Sequence, residues 1–573
     1  DLFELEAVVP EGKITEGLGA LMSEAKRVQQ FGFSNDELNR AKAALLAGYE
    51  RVYKERETAE SGSYANEYVR HFLTREPIPG MEFEYKIAAT YLPTITADEI
   101  SALAKELITE ENRVVLGVAP EKKDVPSPTV ETMRAALNRA GTAPVERWAE
   151  ATAGRDLVEK PPAPGKVASR REVPEIGATV LTLSNGVEVW LKPTDFKNDQ
   201  VVFSAYAPGG VSLAGEPNFK SASLATAMVG VGGMGGLNPV DLSKMLAGKI
   251  AQASPGIGEY QQQISGSSTP KDLETALQLN YLAITQPNMT PEVLELLKRR
   301  LEPSLQNRDQ NPRAVFGDKV EQVNTSNHYS ATPMTVADVP RLNLDTMRTF
   351  YNARFGNAAD FTYFFVGAFT EKELTPLLEK WLASLPSTGK KTAAARDMGA
   401  RFPAAVVKEE VKKGKEPQSL TVLSFFADPG FDEFEMHRLR AATSVLSIRL
   451  RDILRDDRDE LRRTRARADD GDPLAAQVDS VIPLRGVERR PSEGVAAFDL
   501  RHVRAVQLPR RADQCVRLDR LLAAVRRSQT KRPDRAIFVE RRGDDFRREA
   551  HVTSHAVRVG DGTEVLLQDA LRR

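Results

Sequence analysis

The chain has 573 residues, of which 41% are hydrophobic and 28% are charged, and its formal net charge is −1. This composition is typical of a soluble globular protein with several domains, and no apolar run approaches the roughly 18 residues of a membrane span. The single cysteine, Cys515, excludes an internal disulfide and a cage of thiolates around a metal.

The opening stretch, DLFELEAVVPEGK, has neither Met nor a leader sequence, so we interpret the chain as part of a longer polypeptide. Helical periodicity follows in EGLGALMSEAKRVQQFGF and again after FSNDEL, where Ser34 and Glu37 predict a capping box. The second helix is expected to bury the stripe Leu38, Ala41, Leu45, Tyr49, Val52 and Tyr53. A further helix, TADEISALAKELI, leads into a predicted strand, RVVLGVAP.

Residues 123–175 are rich in Pro and charge, which predicts a linker. The sequence ATVLTLSNGVEVWLKP then predicts a hairpin that turns at Asn185-Gly186, and QVVFSAYAPGG predicts another strand. Thr269-Pro270 and Thr290-Pro291 are typical of helix starts, with Thr as N-cap and Pro in the first turn.

The order of these elements recurs along the chain. DELNRAKAALLAGYERVYKERE matches PEVLELLKRRLEPSLQNRDQ in pattern with an offset of 255 residues, and a helix followed by an apolar strand comes later in both parts. We interpret this as a structural repeat. QSLTVLSFFAD and DEFEMHRLRAATSVLSIRLRDILRDD predict a strand and a helix that open a further unit.

Residues 230–236, GVGGMGG, contain a formal G-x-G-x-x-G at Gly230, Gly232 and Gly235. A dinucleotide-binding turn needs a strand before the first glycine and a helix directly after the last. The preceding residues, FKSASLATAMV, are typical of a helix, and Asn238-Pro239 predicts the start of another helix. We therefore interpret the glycines as a helix C-cap and a close-packed turn.

Several motifs, in the same order, resemble those of the insulinase/pitrilysin zinc metallopeptidases. They are FGFSNDELNRAKAALLAGYERVYKERE, YVRHFLTREPIPG, ITADEISALAKELI, LTLSNGVEVWLKPTDFKNDQVVFSAYAPGGVSL and LNPVDLSKMLAGK, and the resemblance covers residues 1–457. In that family the active repeat carries H-x-x-E-H on the helix equivalent to ASLATAMVGVGG, with two zinc ligands and a Glu that activates water. Because this helix has no His or Glu, the resemblance implies a degenerate repeat.

The histidines supply no substitute zinc motif. They are His71, His328, His437, His502, His551 and His555, and none belongs to H-x-x-E-H or H-E-x-x-H. His551 and His555 are four residues apart, but HVTSH has no Glu, so we interpret them as a chance or surface pair. We assign no catalytic, cofactor-binding or metal-binding residue to this chain. Zinc is expected in the intact family protein.

Residues 458–573 do not continue the family pattern. They contain 25 Arg, one Lys (Lys531) and 19 acidic residues, a net charge of +7, against −8 for the preceding 457 residues. The Gly-Gly-Thr-Tyr stretch of the family is absent, and we interpret the segment as a frame-shifted translation. The alternative is a genuine basic tail that binds nucleic acid, which the 19 acids and only three aromatic residues disfavour.

The resemblance implies an α+β fold of repeated layered domains, with helices packed on a mainly antiparallel sheet and arranged as two halves of a chamber. The predicted domains are the remainder of the second domain of the catalytic half (1–122), a linker (123–175), a degenerate third domain (176–385), a second linker (386–402), the start of a fourth domain (403–457) and the Arg-rich tail (458–573).

The expected function is that of the C-terminal part of a zinc-dependent metalloendopeptidase that hydrolyses peptides or unfolded polypeptides. This chain would supply chamber walls, would be inactive alone and would need a zinc-bearing half, in the same chain or as a separate subunit. The alternative is a non-catalytic scaffold or substrate-binding partner of a separate zinc peptidase. We expect no nucleic acid partner and no membrane span, and the resemblance implies the periplasm.

Overall fold

The computed structural model describes residues 4–109, 113–119, 125, 127–148, 155–415, 419–426, 432–465, 478–480, 555–559 and 563–567. The chain divides into two compact units, Asp1–Pro303 with Val339–Ala393 and Ser304–Asp338 with Ala394–Arg573. The predictions for Cys515, His502 and His551 lie outside the described residues. The predicted domain boundaries stay predictions.

The N-terminal part of the first unit is helical. Its helices are α1 (Ile14–Phe31), α2 (Asn35–Lys54), α3 (Ser61–Thr74), α4 (Met81–Tyr91), α5 (Ala97–Leu107) and α6 (Val130–Thr142). The predicted capping box at the start of α2 is confirmed, because the Ser34 side chain accepts from the Glu37 N–H and the Glu37 carboxylate accepts from the Ser34 N–H. Thr96 and Glu99 cap α5 in the same way.

The predicted buried stripe of α2 is only partly correct. Leu38 is buried, but Leu45 is 52% exposed and Val52 is 41% exposed. Helical periodicity shows which side chains share a face, whereas burial also needs a layer that covers that face. Among the described residues, α2 packs mainly on α4, and that contact leaves much of the apolar stripe uncovered.

Two other predictions for this part need correction. Residues 113–119 were predicted as a strand. Among the described residues they pair with no other strand. The stretch 123–175, predicted as a linker, contains α6 and the strand β1 (Val167–Val173). Its composition did not indicate α6 because this helix buries only two small residues, Ala136 and Ala140, where it packs against α1.

A seven-stranded sheet forms the centre of the next part of the first unit. Besides β1, its strands are β2 (Ala178–Leu183), β3 (Glu188–Pro193), β4 (Val201–Pro208), β5 (Ala251–Ile257), β6 (Gln261–Ser268) and β7 (Thr362–Gly367). The spatial order is β1-β2-β3-β7-β4-β6-β5, and β3 with β7 is the single parallel pair in this sheet. The prediction of an α+β fold with a mainly antiparallel sheet is confirmed.

The predicted hairpin is confirmed in β2 and β3, which turn at Asn185-Gly186, and Gly186 has a φ of 88° that suits glycine. The helices that follow in the chain are α7 (Phe219–Ser223), α8 (Ala225–Gly232), α9 (Pro239–Met245), α10 (Leu273–Thr285), α11 (Pro291–Gln310), α12 (Pro312–Asn324), α13 (Leu344–Phe355) and α14 (Glu371–Trp381). The helix α10 packs on β5 and β6, and α14 packs on α10.

An aromatic cluster fills the space between the sheet and these helices. Phe203 on β4 stacks on Phe365 of β7 with ring centroids 5.1 Å apart, and Tyr363 of β7 also stacks on Phe365, at 6.4 Å. Trp381 at the end of α14 is fully buried and meets Tyr281 edge to face. Burial of each such side chain contributes about 2–3 kcal/mol to folding. The core therefore lies along β7, the central strand.

The second unit contains α12, the long helix α15 (Glu433–Arg465) and the strands β8 (Thr421–Val422), β9 (Val478–Ser480), β10 (His555–Val559) and β11 (Thr563–Leu567). The strands form a sheet in the order β10-β11-β9-β8. The strand predicted in QSLTVLSFFAD is reduced to the two residues of β8. The predicted helix is confirmed in α15, which continues past residue 457 to Arg465.

A network of charges connects the C-terminal end of α2 to the region of the seven-stranded sheet. Lys54 pairs with Glu50 at 3.0 Å and with the buried Asp199 at 3.2 Å, and Glu50 also pairs with Lys271. The hydrogen bond from Lys271, assisted by Lys54, lowers the pKa of Glu50. Desolvation acts to lower the pKa of Lys54, but the two carboxylates outweigh it and raise that pKa.

We expect Gly266→Ala in β6 to destabilise the first unit by about 1–3 kcal/mol, because an added Cβ would lie 2.1 Å from the Phe203 ring. Phe203 and Gly266 are cross-strand partners. Phe203→Leu in the Gly266→Ala background should therefore cost less than Phe203→Leu alone. Urea titration followed by tryptophan fluorescence measures the four free energies of unfolding. Additive effects would contradict this packing.

We expect Glu50→Gln to lower the free energy of unfolding at pH 7 by at most about 1 kcal/mol, because the ion pairs are partly solvated. A carboxylate with a lowered pKa contributes stability above its unfolded-state pKa and loses it as the pH falls. The difference between variant and parent should therefore be smaller at about pH 3 than at pH 7. Urea midpoints at both pH values test this, with Glu57→Gln on an exposed neighbouring side chain as control. An equal difference at both pH values would contradict the prediction.

Candidate functional site

The candidate site is the segment from α7 to α9, which lies where the resemblance places the zinc-binding helix of the family. The chain forms two short helices here, since α7 ends at Ser223 and α8 begins at Ala225. The Ala-rich residues allow close packing: Ala222, Ala225 and Met228 are completely buried. α13 packs against both helices. α7 and α8 are therefore part of the packed core.

The glycines after α8 form a tight turn between two helices. Gly232 ends α8, Gly233 is its C-cap with a φ of 79°, and Gly235 and Gly236 also have positive φ. Asn238 caps α9 by accepting from the N–H groups of Val240 and Asp241. The residues directly before Gly230 are helical, so a strand does not precede the first glycine. The interpretation as a C-cap and a close-packed turn is thus confirmed.

Close backbone contacts explain why glycine occupies these positions. A Cβ on Gly232 would lie 2.2 Å from the Asn288 carbonyl oxygen, and one on Gly233 would lie 2.1 Å from the Leu237 carbonyl oxygen. At Gly230, by contrast, a Cβ would meet nothing within 4 Å. The formal motif therefore combines glycines with different roles, and only some of them are required by packing.

Asn288 holds this turn together. Its Nδ2 donates to the carbonyls of Gly232 and Leu237, both at 2.9 Å, and its Oδ1 accepts from the Gly236 N–H at 3.1 Å. Arg155 Nη2 donates to the Gly235 carbonyl at 2.7 Å. Three turn carbonyls are thereby bonded to protein donors. Sequence reasoning missed Asn288, because its role depends on contacts across more than 50 residues.

The residues at this site do not fit a zinc ion. The helix α8, with the sequence ATAMVGVG, offers no imidazole and no carboxylate, which are the ligands expected for a peptidase zinc. Over the part of the chain that the structure describes, no group of three or more His, Cys, Asp or Glu side chains could hold a metal ion. We derive no zinc chemistry from these residues.

The histidines that the structure describes are separated from this segment in the sequence. His71 Nδ1 lies 2.6 Å from the Glu76 carbonyl, and His437 faces Glu433 one turn away on α15. His328 uses both ring nitrogens: Nε2 donates to the Met398 carbonyl at 2.9 Å, and Nδ1 accepts from the Ser330 N–H. His555 lies in β10, and His551, which we interpret as its chance or surface neighbour, lies outside the described residues.

A small buried polar group lies between α10 and β7. Tyr363 donates from its hydroxyl to Asn280 Oδ1 at 3.3 Å, and the Tyr351 hydroxyl donates to the Ala283 carbonyl at 2.8 Å. Burial raises the pKa of both tyrosines well above the ordinary value. These phenols therefore stay protonated at neutral pH. The geometry supports a structural role in the core rather than acid-base chemistry.

The comparisons with known proteins find similarity to zinc proteases over much of the chain. Residues 341–458 match the family model described as the Peptidase M16 inactive domain. The chain is 31% identical over 366 residues to the zinc protease PQQL-like of Arabidopsis thaliana, covering 63% of this chain and 35% of that protein. It is 22% identical over 428 residues to the probable zinc protease PqqL of Escherichia coli, covering 71% and 43%. The chain is thus related to the M16 zinc proteases, and the resemblance to the insulinase/pitrilysin family is confirmed.

Solved structures with a similar chain path include the periplasmic protease PqqL from Escherichia coli, at 19% identity and a TM-score of 0.45, covering 77% of this chain and 48% of that one. Another is a mutant of the ferredoxin protease FusC in complex with Arabidopsis ferredoxin, at 16% identity and a TM-score of 0.44, covering 78% and 49%. The chain spans less than half the length of these relatives and structures. Among the described helices, none is both long and apolar enough to cross a membrane.

We expect Gly232→Ala to destabilise the first unit by about 2–4 kcal/mol, because its methyl group would clash with a backbone carbonyl that cannot move independently. Gly230→Ala, two residues earlier on the same helix, should be neutral or stabilising by up to about 1 kcal/mol, since Ala favours the helix and has open space there. Urea titration of both variants measures the difference. Equal effects would contradict the packing role assigned to Gly232.

Proposed function

We propose that this chain is the C-terminal part of a zinc-dependent metalloendopeptidase that hydrolyses peptides or unfolded polypeptides. In this proposal residues 176–385 are the degenerate third domain and residues 403–457 begin a fourth. The chain supplies walls of the substrate chamber, and the zinc is held by a separate half with its own H-x-x-E-H. The relation to the M16 zinc proteases supports the peptidase class.

One observation carries the proposal: α8, which the resemblance aligns with the zinc-binding helix of the family, has the packing of a structural element. Its buried residues are Ala225, Met228, Val229, Val231 and Gly232, and its end is held by the Asn288 hydrogen bonds. A metal-binding helix has to present imidazoles towards an open substrate cleft. Here the corresponding residues fill a core, so the domain contributes shape and stability.

The compartment and the substrate class also belong to the proposal. We place the intact protein in the periplasm, the compartment named for PqqL of Escherichia coli. The substrate class is peptide or unfolded polypeptide, which is supported by the relation to the zinc proteases. We propose no nucleic acid partner. Residues 458–573 have no assigned role.

We expect the purified 573-residue chain to show no chelator-sensitive hydrolysis of casein or a quenched fluorescent peptide in the presence of zinc, because α8 offers no zinc ligands. Addition of a zinc-bearing M16 half should produce hydrolysis that 1,10-phenanthroline abolishes. The zinc-bearing half alone is the control for its own activity. Hydrolysis by this chain alone that requires zinc would overturn the proposal, whereas binding of peptide without hydrolysis in either mixture would favour a scaffold role.

A further inference from the structure

One face of α2 contacts the sheet region, which we define as residues 155–303 and 339–393. The residues on this face are small or charged and recur at intervals of three or four: Ala43, Ala47, Glu50 and Lys54. Gly248, in the turn between α9 and β5, lies so close that a Cβ there would be 2.5 Å from the Ala43 Cβ. The exposed side chains of Leu45 and Val52 are on the opposite side of α2. The contact therefore uses a face that carries no large apolar residue.

Ion pairs hold the C-terminal end of this face. Three of them cross to the sheet region: Glu50 with Lys271, Lys54 with Asp199 at 3.2 Å, and Glu55 with Lys197 at 3.7 Å. Asp199 is buried, but the side chains of Lys54, Lys197 and Lys271 are 37%, 48% and 44% exposed. Pairs that water reaches in this way are weak and are screened by salt. Their separation would expose little apolar surface, because the uncharged residues beside them are Ala and Gly.

The chain that joins the two parts is anchored separately on each side. In the helical part, which comprises residues 4–148, Arg27 Nε donates to the Glu146 carbonyl at 2.7 Å. In the sheet region, Arg155 Nη2 donates to the Gly235 carbonyl at 2.7 Å, and the following Val158 is buried. Each of these anchors lies within one part. Both can therefore stay intact when the contact along α2 is broken.

We propose that this contact is a reversible electrostatic latch, which holds the helical part on the sheet region at low ionic strength and releases it at high ionic strength. The latch consists of Glu50, Lys54 and Glu55 on one side and Lys197, Asp199 and Lys271 on the other. Each side carries both signs of charge, so the two sides complement each other in one register. Because no hydrophobic core is opened, the latch can close again after release. The inference concerns this chain alone and goes beyond the proposed function.

Carbodiimide cross-linking of the full 573-residue chain tests the latch, because this reagent joins a lysine amine directly to a carboxylate that touches it. Mass spectrometry should detect the link between Glu50 and Lys271 at about 20 mM NaCl and at least about fivefold less of it at about 1 M NaCl. The link between Glu274 and Lys380 is the matched control. These side chains are 2.8 Å apart and 42% and 38% exposed, but they lie on α10 and α14, which pack together. Their link should change much less.

Charge reversal tests whether the pairs act together. At about 100 mM NaCl, Lys197→Glu should lower the yield of the link between Glu50 and Lys271 by at least about twofold, because like charges then face each other across the latch. The double variant Glu55→Lys/Lys197→Glu should restore the yield. Lys298→Glu, which reverses a charge in a local pair on α11, should leave it unchanged.

Three results would overturn the latch. One is an equal response of both links to salt, and another is a double variant that does not restore the yield. The third is faster hydrogen–deuterium exchange in β4 and β7 at about 1 M NaCl, because it would show that the sheet region unfolds rather than separates. The hydrolysis assay decides the proposed function independently, so failure of either leaves the other standing.

Discussion

A layer of amphipathic helices is stable only when another apolar layer covers its hydrophobic face, and this constraint explains most of the structure. In the sheet region the constraint is met. Tyr363 and Phe365 on β7 form a stack with Phe203, and Trp381 is fully buried. In residues 4–148 it is not met among the described residues, and Phe72 and Leu116 are each 84% exposed. The same type of sequence pattern therefore has two different outcomes within one unit, because among the described residues a sheet covers the helices of only one part.

Close packing also explains the structure of the segment from α7 to α9. In the segment that the resemblance aligns with the zinc-binding helix, this chain has Ala225 and Met228 in the core, and Gly232 lies directly against the Asn288 carbonyl. Small residues let the helix approach its neighbours, and the Asn288 side chain binds the carbonyls that the turn exposes. A structural role for this segment is sufficient to account for its contacts.

Local signals in the sequence were accurate where the interaction itself is local. The capping box of Ser34 and Glu37, the Asn185-Gly186 turn and the N-cap at Asn238 each involve residues at most four apart, so short motifs predicted them correctly. The burial of α2 was predicted less well, because exposure of Leu45 depends on which layer is present. The hydrogen bonds of Asn288 and the pairing of Lys54 with Asp199 join distant parts of the chain, and no short motif encodes them.

By itself the sequence indicated the family resemblance, the α+β class and the lack of an H-x-x-E-H motif, because these depend on residue types and on their spacing along the chain. Only the tertiary structure decided that β7 lies between β3 and β4, that Gly232 is required by packing while Gly230 is not, and that Val114, Leu116 and Val118 have no partner layer among the described residues. The physical reason is that periodicity defines a face, whereas burial and strand pairing depend on residues far away in the chain.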